Sequence, residues 1–436
     1  MTRIQGVAHE AAVLVGVVLD GAPPVAGPVL EELEGLARAA GADVVGRLTQ
    51  RRHAPDAATY MGKGKVEELN RLVDGESADV VVFDNDLSPG QTRNLEKALG
   101  VKVVDRTELI LDIFASRART FEARLAVELA QLEYSLPRLK RMWTHLSRQK
   151  KGIGLRGPGE KQLETDRRLV EKRINDLRAE LRDVLRRRER EVATRRDCMT
   201  VSLVGYTNAG KSTLLNLLTG ADVLTDDALF STLDTRTRRW QLPGWGPVLL
   251  SDTVGFIRGL PHHLIASFKA TLEEARQAHL LLHVADAANP AVYEQIGAAY
   301  RVLEEIGLAA KDTILVLNKT DALGDRARLG GLLERYPNAI AISARSGRGV
   351  DQLAAAVSEA LSRTFIDLDV EMAAGNGRLL AYLAAHGEVF SRQYQDSRVV
   401  VHCRIARKHL GRIRQEEGAV RPRGSELARG EEGVGG

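Results

Sequence analysis

Cysteine is nearly absent from this chain of 436 residues, which excludes a fold held together by several disulfides or by a cysteine-bound zinc cluster. The two cysteines, Cys198 and Cys403, cannot by themselves form a disulfide framework or a zinc cluster. Such usage favours a reducing compartment, so we expect a cytoplasmic protein. Aromatic residues make up only 4% of the sequence, which argues against a base-stacking platform for single strands.

Long hydrophobic runs are also missing. The apolar run from Ala11 to Leu19 is followed by Asp20 and a proline-rich turn, and a membrane span needs about 20 apolar residues. We interpret this run as a buried strand and expect no integral membrane association. The apolar share of 44% suffices for packed cores, and the length suggests roughly two to four domains.

The net charge of the chain is small, but positive charge is concentrated in one block. The formal net charge is +4, whereas residues 138–196 contain 20 basic and 9 acidic residues, an excess of +11, and the remainder is −7. A solvated helix face explains most charge runs. An excess of this size in one block favours a polyanionic partner.

Short apolar runs alternate with helix-period segments in two parts of the chain, which predicts βαβ units and parallel sheets. Over residues 1–119 this predicts an N-terminal α/β domain, with apolar runs Ala12–Leu19, Val44–Leu48, Val80–Phe83 and Val101–Val104 and helical segments Leu30–Ala40, Val66–Val73 and Ser88–Leu99. Over residues 197–363 it predicts a parallel sheet covered by helices, with strands Val201–Val204, Val248–Leu250, Leu280–Val284, Ile314–Leu317 and Ala339–Ile342.

Two leucine-rich seams lie between these parts. Their spacing of four and three residues is that of a coiled coil and predicts an antiparallel helical hairpin over residues 120–196. Pro137 is expected to kink the first helix, and Gln149–Glu160 form a basic, glycine-rich tip. Residues 364–436 are predicted to be a small α+β domain with helix Arg378–His386, strand Arg398–Arg404 and a disordered tail. The fold class is α/β multidomain.

A phosphate-binding motif follows the first strand of the second α/β part. Residues Gly205–Ser212, GYTNAGKS, match G-x-x-x-x-G-K-[ST] between a strand and a helix. Backbone N–H groups of such a loop meet phosphate oxygens without steric cost. Lys211 would reach the β and γ phosphates, and the Ser212 hydroxyl would bind Mg²⁺.

Three further elements stand at or after strand ends. Asp252-Thr-Val-Gly255 offers a carboxylate for the Mg²⁺ shell and a glycine N–H for the γ phosphate. Asn318-Lys-Thr-Asp321 offers a carboxylate for the two donors of guanine, which adenine lacks. Ser343-Ala-Arg345 would present an N–H to guanine O6. In this order the elements predict a GTP site.

The loop Ala228–Arg239 must hold a threonine that completes the Mg²⁺ shell. Thr232 is our choice, with Thr235 and Thr237 as alternatives. Phe256 follows DTVG where many GTPases carry a glutamine that orients water. We therefore expect slow hydrolysis that a partner stimulates.

The predicted site can be stated residue by residue. The nucleotide-binding residues are Gly205, Tyr206, Thr207, Asn208, Ala209, Gly210, Lys211, Ser212, Phe230, Ser231, Thr232, Leu233, Asp234, Asp252, Thr253, Val254, Gly255, Asn318, Lys319, Thr320, Asp321, Ser343, Ala344 and Arg345. Of these, the catalytic set is Lys211, Thr232 and Gly255, and the magnesium ligands are Ser212, Thr232 and Asp252.

Nearly the whole chain resembles the HflX family of translational GTPases. The resemblance is carried by GKGKVEEL at 62–69, VELAQLEYSLPRL at 127–139, GPGEKQLETDRR at 157–168, GYTNAGKST at 205–213, LFSTLDTRTR at 229–238 and DTVGFI at 252–257. Two positions depart from the family pattern: Lys161 replaces a usual threonine, and Thr235 replaces a common proline.

The resemblance implies a GTPase that binds the large ribosomal subunit and splits or rescues ribosomes under stress. It implies that the N-terminal and hairpin regions face the peptidyl transferase centre, with hydrolysis stimulated by the subunit. The basic hairpin independently suits rRNA, because phosphate charge supplies most of such affinity. We expect no DNA partner and a monomer.

Other interpretations remain open. The glycine loop Met61–Lys65 could bind an rRNA phosphate or a second nucleotide, or could be a tight turn before a helix. An RNA-remodelling ATPase would need a complete second phosphate-binding motif there, and the spacing is absent. A ribosome-assembly GTPase cannot be separated from a splitting factor by sequence. His262, His263 and His283 are interpreted as structural or solvated.

Overall fold

The computed structural model describes residues 10–21, 29–142, 158–194, 199–220, 230, 236–243, 245–258, 274–309, 311–416 and 418–422. Several sequence predictions fall outside the described residues: Trp143, most of the hairpin tip, Ser231–Asp234 with Thr235, the pair His262 and His263, and the tail. Within the described ranges, no helix has both the length and the apolarity to cross a lipid bilayer.

The N-terminal unit, residues 10–117, is a four-stranded parallel sheet with helices packed on it. The strands are β1 Ala11–Leu19, β2 Asp43–Arg52, β3 Val80–Phe83 and β4 Lys102–Asp105, in the order β2-β1-β3-β4. The helices are α1 Glu31–Ala39, α2 Lys63–Glu76, α3 Pro89–Leu99 and α4 Arg106–Arg117. β1 is central and mostly buried, as its continuous apolar run predicts.

Local capping explains where two of these helices begin. Ser88 and Gln91 form a reciprocal capping box at α3, and the Asp105 carboxylate accepts the Glu108 N–H at α4, at 2.9 Å. α2 starts at Lys63, earlier than the predicted Val66. The last three residues of the Met61–Lys65 loop are therefore helical.

The hairpin consists of α5 Phe121–Met142 and α6 Pro158–Thr194. Its predicted seam is confirmed, since the leucines and isoleucines of the two helices form one buried cluster: Leu125, Leu129, Ile174, Leu177 and Leu181. α5 continues through Pro137. The predicted tip was too long at its end, because Pro158–Glu160 already belong to α6; proline is well tolerated at a first helical position.

The G unit, residues 199–364, contains a six-stranded sheet in the order β10-β9-β8-β5-β7-β6. Its strands are β5 Thr200–Gly205, β6 Arg236–Leu242, β7 Gly246–Asp252, β8 Leu280–Asp286, β9 Thr313–Asn318 and β10 Ile340–Ala341. Its helices are α7 Lys211–Thr219, α8 Val292–Glu305, α9 Arg326–Arg335 and α10 Val350–Thr364, with a short 3₁₀ helix Thr320–Ala322.

The predicted parallel sheet is correct for every G-unit strand except β6. The sequence predicts a loop over Ala228–Arg239, whereas β6 begins at Arg236 and pairs antiparallel with β7. A connection of only three residues permits no other direction. The exposed Arg238 and Arg239 interrupt any apolar run in β6, so a search for such runs misses this strand.

The C-terminal unit, residues 365–422, is the predicted small α+β fold. Its antiparallel sheet has the order β12-β13-β11-β14, with β11 Phe365–Ala373, β12 Gly387–Gln395, β13 Arg398–Ala406 and β14 Ala419–Pro422. Helices α11 Gly377–His386 and α12 Leu410–Gln415 and a 3₁₀ turn Arg407–His409 complete it.

One buried arginine joins the C-terminal unit to the G unit. Arg404 makes a bidentate ion pair with Asp367 at 2.6 and 2.7 Å, donates to the Trp245 carbonyl at 2.6 Å and lies over the Trp245 ring. β7 begins beside Trp245 and runs parallel to β5. Arg404 therefore contacts the sheet at the edge opposite the loop that follows β5.

Candidate functional site

The carboxyl ends of β5, β7, β8 and β9 meet at one edge of the G-unit sheet. The loops after β5, β7 and β9 carry the three predicted motifs, and the short strand β10 brings the fourth beside them. This convergence follows from parallel topology, which places ligand sites outside the carboxyl ends of strands.

The loop after β5 turns sharply into α7. Gly210 has φ +88°, and a Cβ at this position would lie 2.3 Å from the Asn318 amide nitrogen, so a side chain is excluded. The Lys211 ammonium donates to the carbonyls of Gly205 and Tyr206, at 3.2 and 2.9 Å. These hydrogen bonds hold the Lys211 side chain across the phosphate loop. The backbone N–H of Lys211 lies at the start of α7, where helix N–H groups can bind phosphate.

The segment after β7 lies directly on this loop. The Ser212 hydroxyl donates to the Asp252 carboxylate at 2.6 Å, which brings the two predicted metal ligands together. A Cβ on Gly255 would be 2.6 Å from the Thr207 Cα. Phe256 donates its N–H to the Gly205 carbonyl, and its own carbonyl accepts the Thr207 N–H, at 2.9 and 2.7 Å.

Asn318 ties the remaining motifs to the phosphate loop. Its side-chain amide donates to the Ala209 carbonyl, and its side-chain oxygen accepts the Ala344 N–H, both at 2.9 Å. Thr320 donates its hydroxyl to the Ile342 carbonyl at 2.9 Å. A single buried amide thus fixes the distance between the loop that would hold phosphate and the loops that would hold a base.

The proposed base-binding side chains differ in exposure. Asp321 lies on the 3₁₀ helix and is exposed, as is Arg345. Ser343 is fully buried, and its hydroxyl accepts the Ser346 N–H at 3.1 Å.

The electrostatics of the phosphate loop centre on Lys211. Burial lowers the pKa of this ammonium to about 8, a fall that the Asp252 carboxylate opposes. His283, on β8, is buried against Tyr300, and burial together with the Lys211 charge lowers its pKa to about 4. The imidazole is therefore neutral at physiological pH and adds no charge beside the lysine.

Two predicted nucleotide-binding side chains contact the N-terminal unit instead. The Tyr206 hydroxyl donates to Glu32 of α1 at 2.6 Å, and burial with the Glu32 charge raises the pKa of that phenol. Phe230 is buried against Phe114 of α4, with ring centroids 4.6 Å apart. The Phe230 N–H still reaches the phosphate loop, donating to the Thr207 hydroxyl at 2.8 Å.

A set of charged residues between the two units is not predicted by any sequence motif. Arg106 pairs with Asp84 at 2.6 Å and with Glu32 at 3.0 Å. Arg258, two residues after Phe256, pairs with Asp84 at 2.9 Å. Isolated charges in separate motifs carry no signal of such pairing, so the sequence could not have revealed it.

Apolar contacts reinforce these ion pairs. One hydrophobic cluster runs from the N-terminal sheet and its helix α4 to Tyr206, Phe230, Val254 and Phe256 of the G unit. Phe256, which stands in place of the expected glutamine, is 3% exposed. Its side chain packs in the cluster between the units and is not directed into solvent.

Raising the pH above about 8 should weaken GDP binding, because phosphate favours the charged Lys211 that burial disfavours. Below that pKa the ammonium is already charged; above it, binding must take up a proton, and the affinity should fall by up to about tenfold per pH unit. Titration with a fluorescent GDP analogue from neutral pH to about pH 9.5 measures this. Lys211→Arg keeps its charge over this range, so subtracting its profile of affinity against pH from that of the unaltered protein removes the effect of the titration of guanine itself. Identical profiles for the two proteins would contradict the role assigned to Lys211.

Comparison with known proteins gives matches along most of the chain. Family models match as follows: "GTP-binding GTPase N-terminal" at residues 28–115, "GTP-binding GTPase Middle Region" at 117–195, "50S ribosome-binding GTPase" at 200–319 and "HflX C-terminal domain" at 332–423. The protein "GTPase HflX" of Escherichia coli (strain K12) is 50% identical over 353 residues, covering 80% of this chain and 83% of the relative.

A second relative and one solved structure extend the comparison. "GTPase HflX" of Magnetococcus marinus is 45% identical over 394 residues, covering 89% of this chain and 90% of the relative. The structure described as "SsGBP and GDP complex" has a TM-score of 0.48 at 25% identity, covering 81% of this chain and 98% of that chain.

Proposed function

Because the chain belongs to the HflX family of GTPases, we propose that it is a GTP-hydrolysing switch that binds the large ribosomal subunit and splits or rescues ribosomes under stress. We call the edge of the G-unit sheet where the four nucleotide motifs meet the nucleotide edge. The observation that carries the proposal is the contact between this nucleotide edge and the N-terminal unit. We further propose a cytoplasmic monomer with domains at 1–119, 120–196, 197–363 and 364–436.

The roles of the site residues follow from their positions. Lys211 would neutralise the β and γ phosphates, and the Gly255 N–H would contact the γ phosphate. Asp321 would select guanine, and a backbone N–H of the Ser343–Arg345 segment would contact its O6. Thr232 lies outside the described residues, and its proposed role rests on the sequence.

The donor set fits a magnesium ion. The Ser212 hydroxyl and the Asp252 carboxylate lie side by side at the strand ends, and hard oxygen donors of this kind are what Mg²⁺ prefers. These two residues, with Thr232, would hold it. When bound, Mg²⁺ would neutralise phosphate charge.

Intrinsic hydrolysis should be slow. Phe256 has no polar atom in its side chain, and its ring is buried between the units. It cannot orient an attacking water as a glutamine can. A group supplied or repositioned by the ribosome would complete the site.

A change of the bound nucleotide would affect the N-terminal unit through three contacts. The phosphate loop reaches Glu32 through Tyr206, the segment after Gly255 reaches Asp84 through Arg258, and the Phe230 carbonyl accepts from Arg117 of α4 at 3.2 Å. All three elements border the site of the γ phosphate. A change there would alter the contacts that hold the N-terminal unit.

The basic hairpin would supply the rRNA contact. The exposed face of α6 carries Lys172, Arg182, Arg186 and Arg187, whereas Arg173 and Arg178 pair with Glu128 and Glu133 of α5. The first group is available for phosphates, and the second holds the two helices together. The family model "50S ribosome-binding GTPase", which matches residues 200–319, supports the same partner.

Turnover of GTP with and without purified large subunits tests the proposal. We expect large subunits to raise kcat strongly and small subunits to leave it unchanged. Sedimentation of intact ribosomes with the protein and a non-hydrolysable GTP analogue should show the protein with large subunits and an increase of free small subunits. Stimulation without splitting would favour a ribosome-assembly GTPase; no stimulation would contradict the proposal.

A further inference from the structure

Asp286, the last residue of β8, lies beside the base-binding loop but belongs to none of the four nucleotide motifs. Its carboxylate is 2.9 Å from the Lys319 ammonium, and the two side chains are 15% and 29% exposed. The other carboxylate oxygen accepts the Ala288 N–H at 2.9 Å. Both oxygens of Asp286 are therefore fixed, one by backbone and one by the lysine.

Lys319 has an uncommon backbone conformation, and its side chain lies beside the phosphate loop. Its φ is +61°, in the left-handed region that a side-chain-bearing residue seldom adopts. Its Cε lies 4.0 Å from the position of a Cβ on Gly210. The side chain thus extends from the second glycine of the phosphate loop to Asp286.

A free lysine side chain has several rotatable bonds and would lose their entropy when a ligand orders it. An ion pair that holds the ammonium before binding removes much of that loss. Backbone pairing adds precision, since Ala287 donates its N–H to the Asn318 carbonyl at 2.9 Å. Asp286 at the end of β8 and Lys319 directly after β9 are thereby held side by side.

We propose that Asp286 is a positioning residue for guanine nucleotides, which holds the Lys319 side chain in place to cover one face of the base. The inference rests on the proposed role of Lys319 at the base. A residue of β8 then contacts the base-binding loop. The affinity for guanine nucleotides therefore depends on three strands, β8 as well as β9 and β10.

The test uses the full-length chain and titration with a fluorescent GDP analogue. Asp286→Asn keeps the acceptor for Ala288 but loses the charge, and we expect Kd to rise about tenfold, equivalent to about 1.4 kcal/mol. KM for GTP should rise with Kd while kcat stays unchanged. Asp286→Glu, which restores the charge, should recover part of the affinity.

A double-mutant cycle separates this role from others. If Asp286 acts through Lys319, the variant with both Asp286→Asn and Lys319→Met should bind no more weakly than Lys319→Met alone. Glu359→Gln, which breaks an exposed ion pair with Arg363 elsewhere in the G unit, should leave Kd unchanged.

The outcomes are distinguishable. Unchanged Kd for Asp286→Asn, or effects that multiply in the double variant, would overturn the inference. A lower melting temperature of nucleotide-free Asp286→Asn than of Glu359→Gln would overturn it too, since it would show a structural role. If Lys319→Met itself bound normally, the proposed base contact would fail, whatever Asp286 did.

Discussion

Replacing Asp321 with asparagine should exchange the base preference of the site from guanine to xanthine. The carboxylate would accept hydrogen bonds from the ring N–H and the exocyclic amine of guanine, and an asparagine presents a donor where the amine needs an acceptor. Two charge-assisted hydrogen bonds are worth about 1.5–3 kcal/mol each, so affinity for GDP should fall by about 10²- to 10⁴-fold. Xanthosine diphosphate, which carries an oxygen in place of the amine, should bind more tightly than GDP.

Competition of both nucleotides against a fluorescent GDP analogue, or its xanthine counterpart, measures the exchange. Asp325→Asn is the matched control: it makes the same charge change four residues away, and its side chain can still cap α9 at the Ala327 N–H. The control should keep the guanine preference. An Asp321→Asn protein that still preferred GDP over xanthosine diphosphate would refute the assignment of this loop to the base.

Neutralising exposed lysine and arginine side chains on α6 should weaken binding to large ribosomal subunits. The triple variant Lys172→Gln, Arg182→Gln and Arg186→Gln removes three charges that point to solvent. We expect affinity to fall by roughly 10- to 100-fold at physiological salt. The slope of log affinity against log salt should become shallower by about two to three units, because fewer counterions are released.

Sedimentation at several salt concentrations gives both quantities. A control variant with Arg363, Arg392 and Arg414 changed to glutamine loses the same charge from exposed positions elsewhere. Basal GTP turnover should be the same in the two variants, because neither touches the nucleotide edge. If the control lost as much affinity as the α6 variant, net charge and not the hairpin would explain binding.

Secondary structure could be predicted where burial leaves a simple pattern. Strand β3, Val80–Phe83, was predicted to the residue, because a central strand covered on both faces is continuously apolar. The hairpin seam was equally readable from its heptad spacing. These patterns are local, so neighbouring residues along the chain suffice to define them.

The failures have an equally local cause. In β6 the exposed Arg238 and Arg239 precede the buried Trp240, and an edge strand of that kind has no apolar run. The start of α2 was placed too late because the glycines in GKGK favour a loop. Elsewhere in the site, Ser231–Asp234 lie outside the described part of the chain, so their role in nucleotide binding stays a prediction.

Sequence by itself determined which chemistry this protein carries. Each nucleotide motif is a short contiguous segment beginning at or just after a strand end, so its residue types and their order predict phosphate, metal and base contacts. The charge excess of the hairpin is likewise a sum over neighbouring residues.

Only the tertiary structure decided how those motifs are held. Glu32 meets Tyr206 across 174 residues of sequence, and Arg258 meets Asp84 across the same separation. Asp286 meets Lys319 because β8 and β9 lie side by side. Periodicity records that a residue is buried, but the identity of its partner depends on how distant segments pack, and that is set by the fold as a whole.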